Sequence, residues 1–383
     1  MTRTLSADWV VTGEGAPIAD GVVLVDGETI VDVRERLASD DCEHFRGVIL
    51  PGLVNPHTHL EGSAFAGKVE PGGGIAAFAW EYKQAIRSTS MDDVRRSAQA
   101  AVDALVECGT ALVGDVTNTG VAAPMLARAP IRSVVFHECI AGAPGIPVDG
   151  ASLAAHAPYS SPPEWLAETY GIAASSDGLT SVHLAEHADE RRFLLDGDGP
   201  IQELYRMLGV DVRFPIPRRP SVPYLADLGA LGPHSLAVHV CDATPMERET
   251  LRERRSPIVL CPRSNDFIGG ALPDLPAILA EGSQPALGTD SLASSPSLDV
   301  LEEAGVLHAA FPDVPCRALV AMATSWGAAA MRRPLLGAIV KGRAPGLLLA
   351  PPDDSADVPA DPERWLVESS PPRRWLVGPG GSA

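Results

Sequence analysis

Eight short apolar runs recur through the middle of the chain, and stretches with helical character separate them. The stretch between the first two runs carries helix signals, since Ser90 can cap the N-terminus, acidic residues follow it, and Gly109 ends the pattern. Strand and helix in alternation predict a parallel sheet, and eight such units close most naturally into a (β/α)8 TIM-type barrel of the α/β class. The predicted strands are Ile49–His59, Thr110–Val116, Ile131–Cys139, Ala151–His156, Leu179–Leu184, Ser235–Val240, Pro257–Cys261 and Pro285–Asp290.

The two ends of the chain show a different pattern. Valines alternate with other residues between Val22 and Val33, and Asp26-Gly27 offers a tight turn, which is typical of antiparallel strands. Leu335–Leu349 again predicts short strands with glycine breaks, so the two ends are expected to pack together. The predicted division is an accessory β domain from 1–48 and 335–370, a barrel from 49–334, and a flexible tail from 371–383.

Composition narrows the range of partners. A formal net charge of -19 argues against a nucleic acid or an anionic membrane as partner, because both require a basic surface, and it leaves a small molecule as the expected substrate. The six cysteines show no close pairing and the N-terminus lacks the apolar core of a signal peptide, so a cytoplasmic location is expected. A homodimer is compatible with a barrel of this kind, although no segment indicates an interface.

Polar residues gather where the predicted strands end, which is where barrels of this type carry their chemistry. Of the ten histidines in the chain, six lie at these positions. Carboxylates accompany them, and an unpaired carboxylate such as Asp290, at the end of a buried strand, would be costly without a partner. The six histidines are His57, His59, His137, His156, His183 and His239.

The spacing of the first two histidines suggests a metal. Side chains alternate across a strand, so His57 and His59 share one face and can meet on one ion, although such a pair alone is also compatible with ordinary hydrogen-bonded histidines. Three imidazoles and one carboxylate would suit a borderline ion such as zinc. None of the three lysines in the chain ends a predicted strand, so a modified lysine bridging two ions is excluded and one ion is favoured.

Five motifs, in this order and spacing, resemble those of the amidohydrolase superfamily, and within it the mononuclear branch of adenosine-type deaminases and chlorohydrolases. The resemblance extends from about Ala7 to Pro345. The motifs are PGLVNPHTHLE, HLAEH, VHV, CPRSN and LGTDSLAS, which begin at residues 51, 183, 238, 261 and 287.

The resemblance implies a role for each matching residue. The ligands of a single divalent ion, zinc or alternatively iron, would be His57, His59, His183 and Asp290. Asp290 would also accept the proton of the attacking water, His239 would polarise that water, and Glu186 would protonate the ring nitrogen next to the carbon under attack. The implied reaction is hydrolytic deamination, in which metal-bound hydroxide attacks an aminated ring carbon and ammonia leaves.

Within this branch the sequence is most similar to the bacterial aminodeoxyfutalosine deaminases of menaquinone biosynthesis, which convert 6-amino-6-deoxyfutalosine to futalosine. That substrate carries a carboxylate remote from the adenine. The arginines of the insertion 211–223, namely Arg213, Arg218 and Arg219, would either pair with this carboxylate or form a solvated cluster. Trp80, in the segment 62–88, is expected either to stack on a flat heterocycle as part of a lid or to pack on the barrel. The other candidate substrate contacts are Glu138, His156 and Ser291.

Three alternatives stay open at this point. One is deamination of S-adenosylhomocysteine or methylthioadenosine. Another is hydrolysis of a different amino- or chloro-substituted heterocycle. The third is a non-catalytic scaffold, which would be expected to have lost some of the ligands.

Overall fold

The computed structural model describes residues 2–140, 148–210, 215–353 and 357–380. Its strands, in chain order, are β1 (Thr2–Val10), β2 (Ile18–Asp26), β3 (Thr29–Glu35), β4 (Glu43–Pro51), β5 (Leu53–Thr58), β6 (Thr110–Thr117), β7 (Arg132–Cys139), β8 (Ser152–Ala155), β9 (Thr180–Leu184), β10 (Ser235–His239), β11 (Ile258–Leu260), β12 (Ala286–Leu287), β13 (Leu347–Ala350) and β14 (Arg374–Val377).

A 3₁₀ helix spans Leu60–Phe65. The α-helices are α1 (Gly74–Ser88), α2 (Met91–Glu107), α3 (Ala123–Leu126), α4 (Pro163–Ser175), α5 (Ala188–Asp196), α6 (Pro200–Leu208), α7 (Ser221–Asp227), α8 (Pro245–Arg254), α9 (Pro262–Ile268), α10 (Leu275–Ala280), α11 (Val300–Ala310), α12 (Cys316–Met322), α13 (Ser325–Ala330) and α14 (Pro362–Ser369). Among the described residues, no helix has both the length and the apolar character needed to span a bilayer.

Strands β5 to β12 form the predicted barrel. Two four-stranded parallel sheets, β5-β6-β7-β8 and β9-β10-β11-β12, are joined at both seams. A parallel bridge between Thr58 and Asp290 closes one seam. At the other seam the backbone N–H of His183 donates to the carbonyl of His156 at 2.9 Å. Each of the eight apolar runs contains one barrel strand, which confirms the predicted fold class.

The first predicted strand, Ile49–His59, is in fact two strands that meet at Gly52. Residues up to Pro51 belong to β4, which pairs with β1 and β13 outside the barrel, and the barrel strand begins at Leu53. The chain passes so close to its neighbours at Gly52 that a Cβ would lie 2.5 Å from the Cβ of Ala111. The end of β4 and the start of β5 are both buried and apolar, so hydrophobicity could not separate the two strands.

The accessory sheet is built from both chain ends, in the order β14-β13-β4-β1-β2-β3. The sequence placed residues 371–383 in a flexible tail, whereas Arg374–Val377 form the edge strand β14, paired with β13. The indole N–H of Trp375 donates to the carbonyl of Val106 at 3.2 Å, and the guanidinium of Arg373 pairs with the buried carboxylate of Asp299. These contacts anchor a segment whose proline and glycine content had suggested mobility. The domain boundaries predicted at 48 and 335 stay predictions.

Helix α2 follows the predicted signals closely. The hydroxyl of Ser90 accepts a hydrogen bond from the backbone N–H of Asp93 at 3.1 Å, and Gly109, after the helix, has a φ of 79°. Apolar residues of α2, including Ala98 and Leu105, are fully buried. The helix therefore covers the outside of the barrel between β5 and β6, and leaves the carboxyl ends of the strands to polar side chains.

Candidate metal centre and active site

Four side chains meet at the carboxyl ends of the barrel strands. His57, His59, His183 and Asp290 each present one ligand atom, and these atoms lie within 4.8 Å of one another. Oδ1 of Asp290 lies 3.6 Å from Nε2 of His57 and 3.5 Å from Nε2 of His59. The Nε2 atoms of His59 and His183 are 3.2 Å apart. We refer to these four residues as the histidine–aspartate cluster.

Backbone geometry brings the first and last strands of the barrel together at the cluster. Asp290 has a φ of 57°, and its backbone N–H donates to the carbonyl of His57 at 3.1 Å. Gly288 is required here because a Cβ would lie 2.9 Å from the Cβ of His57. The amide of Asn55 donates to the hydroxyl of Thr289 at 2.8 Å and accepts from its backbone N–H at 3.2 Å. These contacts join β5 to the end of β12.

Burial favours the neutral form of His57 and His183, which is the form suited to binding a cation. Both ring nitrogens of His57 are buried and have no hydrogen-bond partner within the described part of the chain. Burial lowers the pKa of His57 to about 4 and holds the pKa of His183 well below its usual range. Neutral imidazole is the form that ligates a metal ion. A divalent ion would satisfy one nitrogen of each imidazole and compensate the buried charge of Asp290, so the donor set fits a metal.

Two serines fix the orientation of Asp290. The hydroxyl of Ser264 donates to Oδ2 at 2.6 Å, and that of Ser294 lies 3.3 Å from the same oxygen. Oδ1 is thereby left for the imidazoles. Burial acts to raise the pKa of Asp290, but the adjacent imidazoles, that of His57 above all, outweigh it and hold the pKa well below its usual range. The sequence motifs contained both serines, but no role had been assigned to them.

Glu186 and His239 form a second pair beside the cluster. Oε1 of Glu186 lies 3.6 Å from Nε2 of His239, whose Nδ1 lies 3.4 Å from the amide oxygen of Asn265. Asn265 can therefore accept the Nδ1 proton, which leaves Nε2 as an acceptor facing the site. Burial, and next the negative charge of Asp290, raise the pKa of Glu186 to about 8, so its carboxyl group is protonated at neutral pH. Burial also lowers the pKa of His239.

Glu138 and His156 lie on the other side of His183. One ligand atom from each of these three residues lies within 4.8 Å of the others. Oε1 of Glu138 is buried without a hydrogen-bond partner among the described residues, whereas Oε2 accepts from the amide of Asn118 at 3.0 Å. Nδ1 of His156 lies 2.5 Å from the hydroxyl of Ser160. A hydrogen-bond donor on a bound molecule would satisfy the free oxygen of Glu138.

Three aromatic residues of the segment 62–88, namely Phe78, Trp80 and Tyr82, are on helix α1. Trp80 is half-buried and packs against an apolar group that includes Tyr159 and Phe193, as expected for a packing residue. Tyr82 lies closer to the site, because its hydroxyl and that of Ser291 would both meet a Cβ placed on Gly62, at 2.7 and 2.4 Å. The sequence does not single out Tyr82, because only the position of helix α1 against the barrel shows which of its aromatic residues lies beside the site.

The predicted carboxylate-binding arginines are exposed and make other contacts. Arg218 donates to the backbone carbonyls of Leu195 and Asp196, at 3.0 and 2.8 Å. Arg219 forms an ion pair with Asp227. A substrate carboxylate would have to compete with these partners, so the predicted pairing stays a prediction. Arg213 lies outside the described residues.

Comparison with known proteins agrees with this architecture. The chain is 30% identical over 362 residues to an aminodeoxyfutalosine deaminase from Deinococcus radiodurans, covering 85% of this chain and 84% of that protein. It is 27% identical to a 5-methylthioadenosine/S-adenosylhomocysteine deaminase from Halobacterium salinarum, covering 82% of this chain and 76% of that protein. The crystal structure of Helicobacter pylori aminofutalosine deaminase in complex with methylthio-coformycin has the same fold, with a TM-score of 0.86, 21% identity and 99% of each chain covered.

The amidohydrolase family matches residues 48–361, which is most of the chain and includes every residue of the histidine–aspartate cluster. The extent of this match and the 30% identity to the Deinococcus protein lead to one conclusion. The chain belongs to the amidohydrolase family and is a hydrolytic enzyme.

Proposed function

We propose that this protein is a metal-dependent deaminase of an adenine-containing nucleoside. The observation that carries the proposal is the histidine–aspartate cluster with the pair Glu186 and His239 directly beside it. Deamination of an aminated ring needs a nucleophilic water, a base for its proton and an acid for the ring nitrogen. The described side chains supply the base and the acid, and they offer a site for a cation.

A single divalent ion would be held by His57, His59, His183 and Asp290. Three imidazoles and one carboxylate favour zinc, with iron as the alternative. When bound, such an ion lowers the pKa of a coordinated water molecule towards neutrality.

Three residues around the proposed metal site each have a separate role in the proton transfers of the reaction. Asp290, oriented by Ser264, would accept the proton of the attacking water. His239 would orient that water through its free Nε2. Glu186, protonated at neutral pH, would donate to the ring nitrogen, and a proton delivered to the departing amino group would release ammonia.

Our choice of substrate is 6-amino-6-deoxyfutalosine, converted to futalosine. Support comes from the Deinococcus relative named for that activity. Glu138, His156 and Ser291 would contact the substrate beyond the adenine ring, where the free Oε1 of Glu138 can accept a hydrogen bond from a substrate hydroxyl. The Halobacterium relative favours methylthioadenosine or S-adenosylhomocysteine as the second candidate.

An ammonia-release screen tests the proposal. The purified, metal-loaded protein would be given aminodeoxyfutalosine, methylthioadenosine, S-adenosylhomocysteine and adenosine, and we expect the highest kcat/KM for the first. A higher kcat/KM for methylthioadenosine or S-adenosylhomocysteine would select the second candidate. Absence of ammonia from all four, in a protein that also binds no divalent ion, would favour a scaffold.

An arginine double variant addresses recognition of the carboxylate. Arg218→Ala with Arg219→Ala should lower kcat/KM for the carboxylate-bearing substrate relative to adenosine, if these side chains leave their present partners to bind it. An unaltered ratio would show that they do not.

A further inference from the structure

Glu186 is on an unusual turn that follows β9. Ala185, the residue before it, has a φ of 49°, a left-handed conformation that is strained for a residue with a Cβ. The carbonyl of Ala185 accepts from the backbone N–H of Asp242 at 2.8 Å, in the loop that follows His239. The turn therefore sets the position of Glu186 relative to His239, and strain of this kind persists only where the surroundings hold it.

A carboxylate on the next helix holds the other side of this turn. Oε1 of Glu190 accepts from the backbone N–H of Ala185 at 3.1 Å, and Oε2 accepts from the N–H of Glu186 at 2.9 Å. One side chain thus uses both of its oxygens to bind two consecutive amides. Because the two bonds fix successive peptide planes, they restrain the direction in which the Glu186 side chain leaves the backbone.

The burial of Glu190 requires an explanation. Its side chain is completely buried on helix α5, and its hydrogen-bond partners are backbone amides and Ser221 instead of an arginine or lysine of the described residues. An ionisable group in such a place is costly unless its hydrogen bonds compensate. Burial raises the pKa of Glu190 to about 7. A packing role alone would be served better by an apolar side chain.

We propose that Glu190 is a positioning residue that holds the strained Ala185–Glu186 turn, so that the carboxyl group of Glu186 stays aimed at His239 and the substrate. The inference rests on the proposed function, since it assigns Glu190 a part in the reaction that Glu186 performs. Glu190 itself does not touch the reacting atoms.

The test is Glu190→Gln, which keeps the size of the side chain. Glutamine has one acceptor oxygen, so at least one of the two amides loses its partner. We expect kcat to fall by about tenfold to a hundredfold, as displacements of about 1 Å do at catalytic groups, while KM and the bound metal per chain stay unchanged. The matched control is Glu363→Gln, which removes another buried carboxylate, paired with Arg317 in helix α12 at 3.1 Å, and should keep the wild-type kcat.

Hydrogen–deuterium exchange gives a readout that does not depend on activity. The peptide that contains residues 183–190 should exchange about fivefold faster in Glu190→Gln than in the wild type, because an amide has lost its acceptor. Glu363→Gln should leave this peptide unchanged. If Glu190→Gln does not fold, Glu190→Asp takes its place: it keeps the charge but is one methylene shorter, so it cannot reach both amides.

The outcomes separate this inference from the proposed function. Wild-type kcat with unchanged exchange in Glu190→Gln would overturn the positioning role. So would a parallel loss of kcat, metal and thermal stability, which indicates a merely structural role. A wild-type protein inactive on every nucleoside would refute the proposed function, and the exchange experiment would then decide whether Glu190 holds the turn.

Discussion

Glu186→Gln is expected to make the protein more stable and nearly inactive. The carboxyl group is buried, and its pKa of about 8 means that it stays protonated in the folded protein at pH 7, whereas it is ionised in the unfolded chain. Glutamine has the same shape and never ionises. The variant therefore keeps the packing of the neutral acid, avoids the cost of burying an ionisable group, and lacks the proton that the reaction needs.

The magnitude follows from the two pKa values. A carboxyl group whose pKa rises from 4.5 to about 8 on folding stabilises the protein fully below about pH 4.5, and this stability is lost as the pH rises towards about 8. Relative to its value below about pH 4.5, the contribution of Glu186 to the free energy of unfolding is lower by at most about 3 kcal/mol at pH 7, and by at most about 5 kcal/mol above pH 8. Activity should fall by roughly a hundredfold or more, which corresponds to about 3 kcal/mol of barrier.

Two assays check this prediction. Urea unfolding of chelator-treated protein at pH 5, 7 and 9 compares the free energies of unfolding, because a bound cation would favour the carboxylate and reduce the difference. The charge of Glu186 also raises the pKa of Glu190, so the difference between the two curves reports Glu186 together with this coupling. Ammonia release by metal-loaded protein gives kcat. An equal pH dependence of stability, or a variant that keeps more than about a tenth of the wild-type kcat, would refute the reasoning.

Two further predictions concern the metal and the aromatic helix. Asp290→Asn should lower the amount of bound metal measured by elemental analysis, because an amide oxygen is a poorer ligand than a carboxylate. The control His44→Ala, in the accessory sheet, should bind as much metal as the wild type. Full metal content in Asp290→Asn would exclude Asp290 from the ligand set. Trp80→Ala should lower the free energy of unfolding by about 2 kcal/mol, since the half-buried indole packs against the apolar group that includes Tyr159 and Phe193. In the same variant, a strongly raised KM would support stacking on the substrate, and an unchanged KM would count against it.

Several features of the site could be predicted because they depend on local sequence. His57 and His59 share a face by the alternation of a strand, and the helix that starts after Ser90 follows from its cap. The order of the strands alone places these polar residues at one end of the predicted barrel. The sequence did not separate β4 from β5, since both are apolar and only the close approach of Gly52 to Ala111 distinguishes them.

Other features depend on contacts between residues far apart in the chain. The anchoring of the C-terminal segment by Trp375 and Arg373 could not be seen in a stretch rich in proline and glycine. The orientation of Asp290 by Ser264, and the choice of Tyr82 over Trp80 beside the site, depend on where each helix sits against the barrel. None of these contacts leaves a periodic signal.

The sequence by itself determined the succession of strands and helices, the barrel that they form, and the residue types at the strand ends, because periodicity and capping act over a few neighbouring residues. Only the tertiary structure decided which nitrogen faces which oxygen, which carboxyl group stays protonated, and that Glu190 holds the turn of Glu186. Those properties arise from burial and from the left-handed backbone conformations at Ala185 and Asp290, which depend on contacts between residues far apart in the chain.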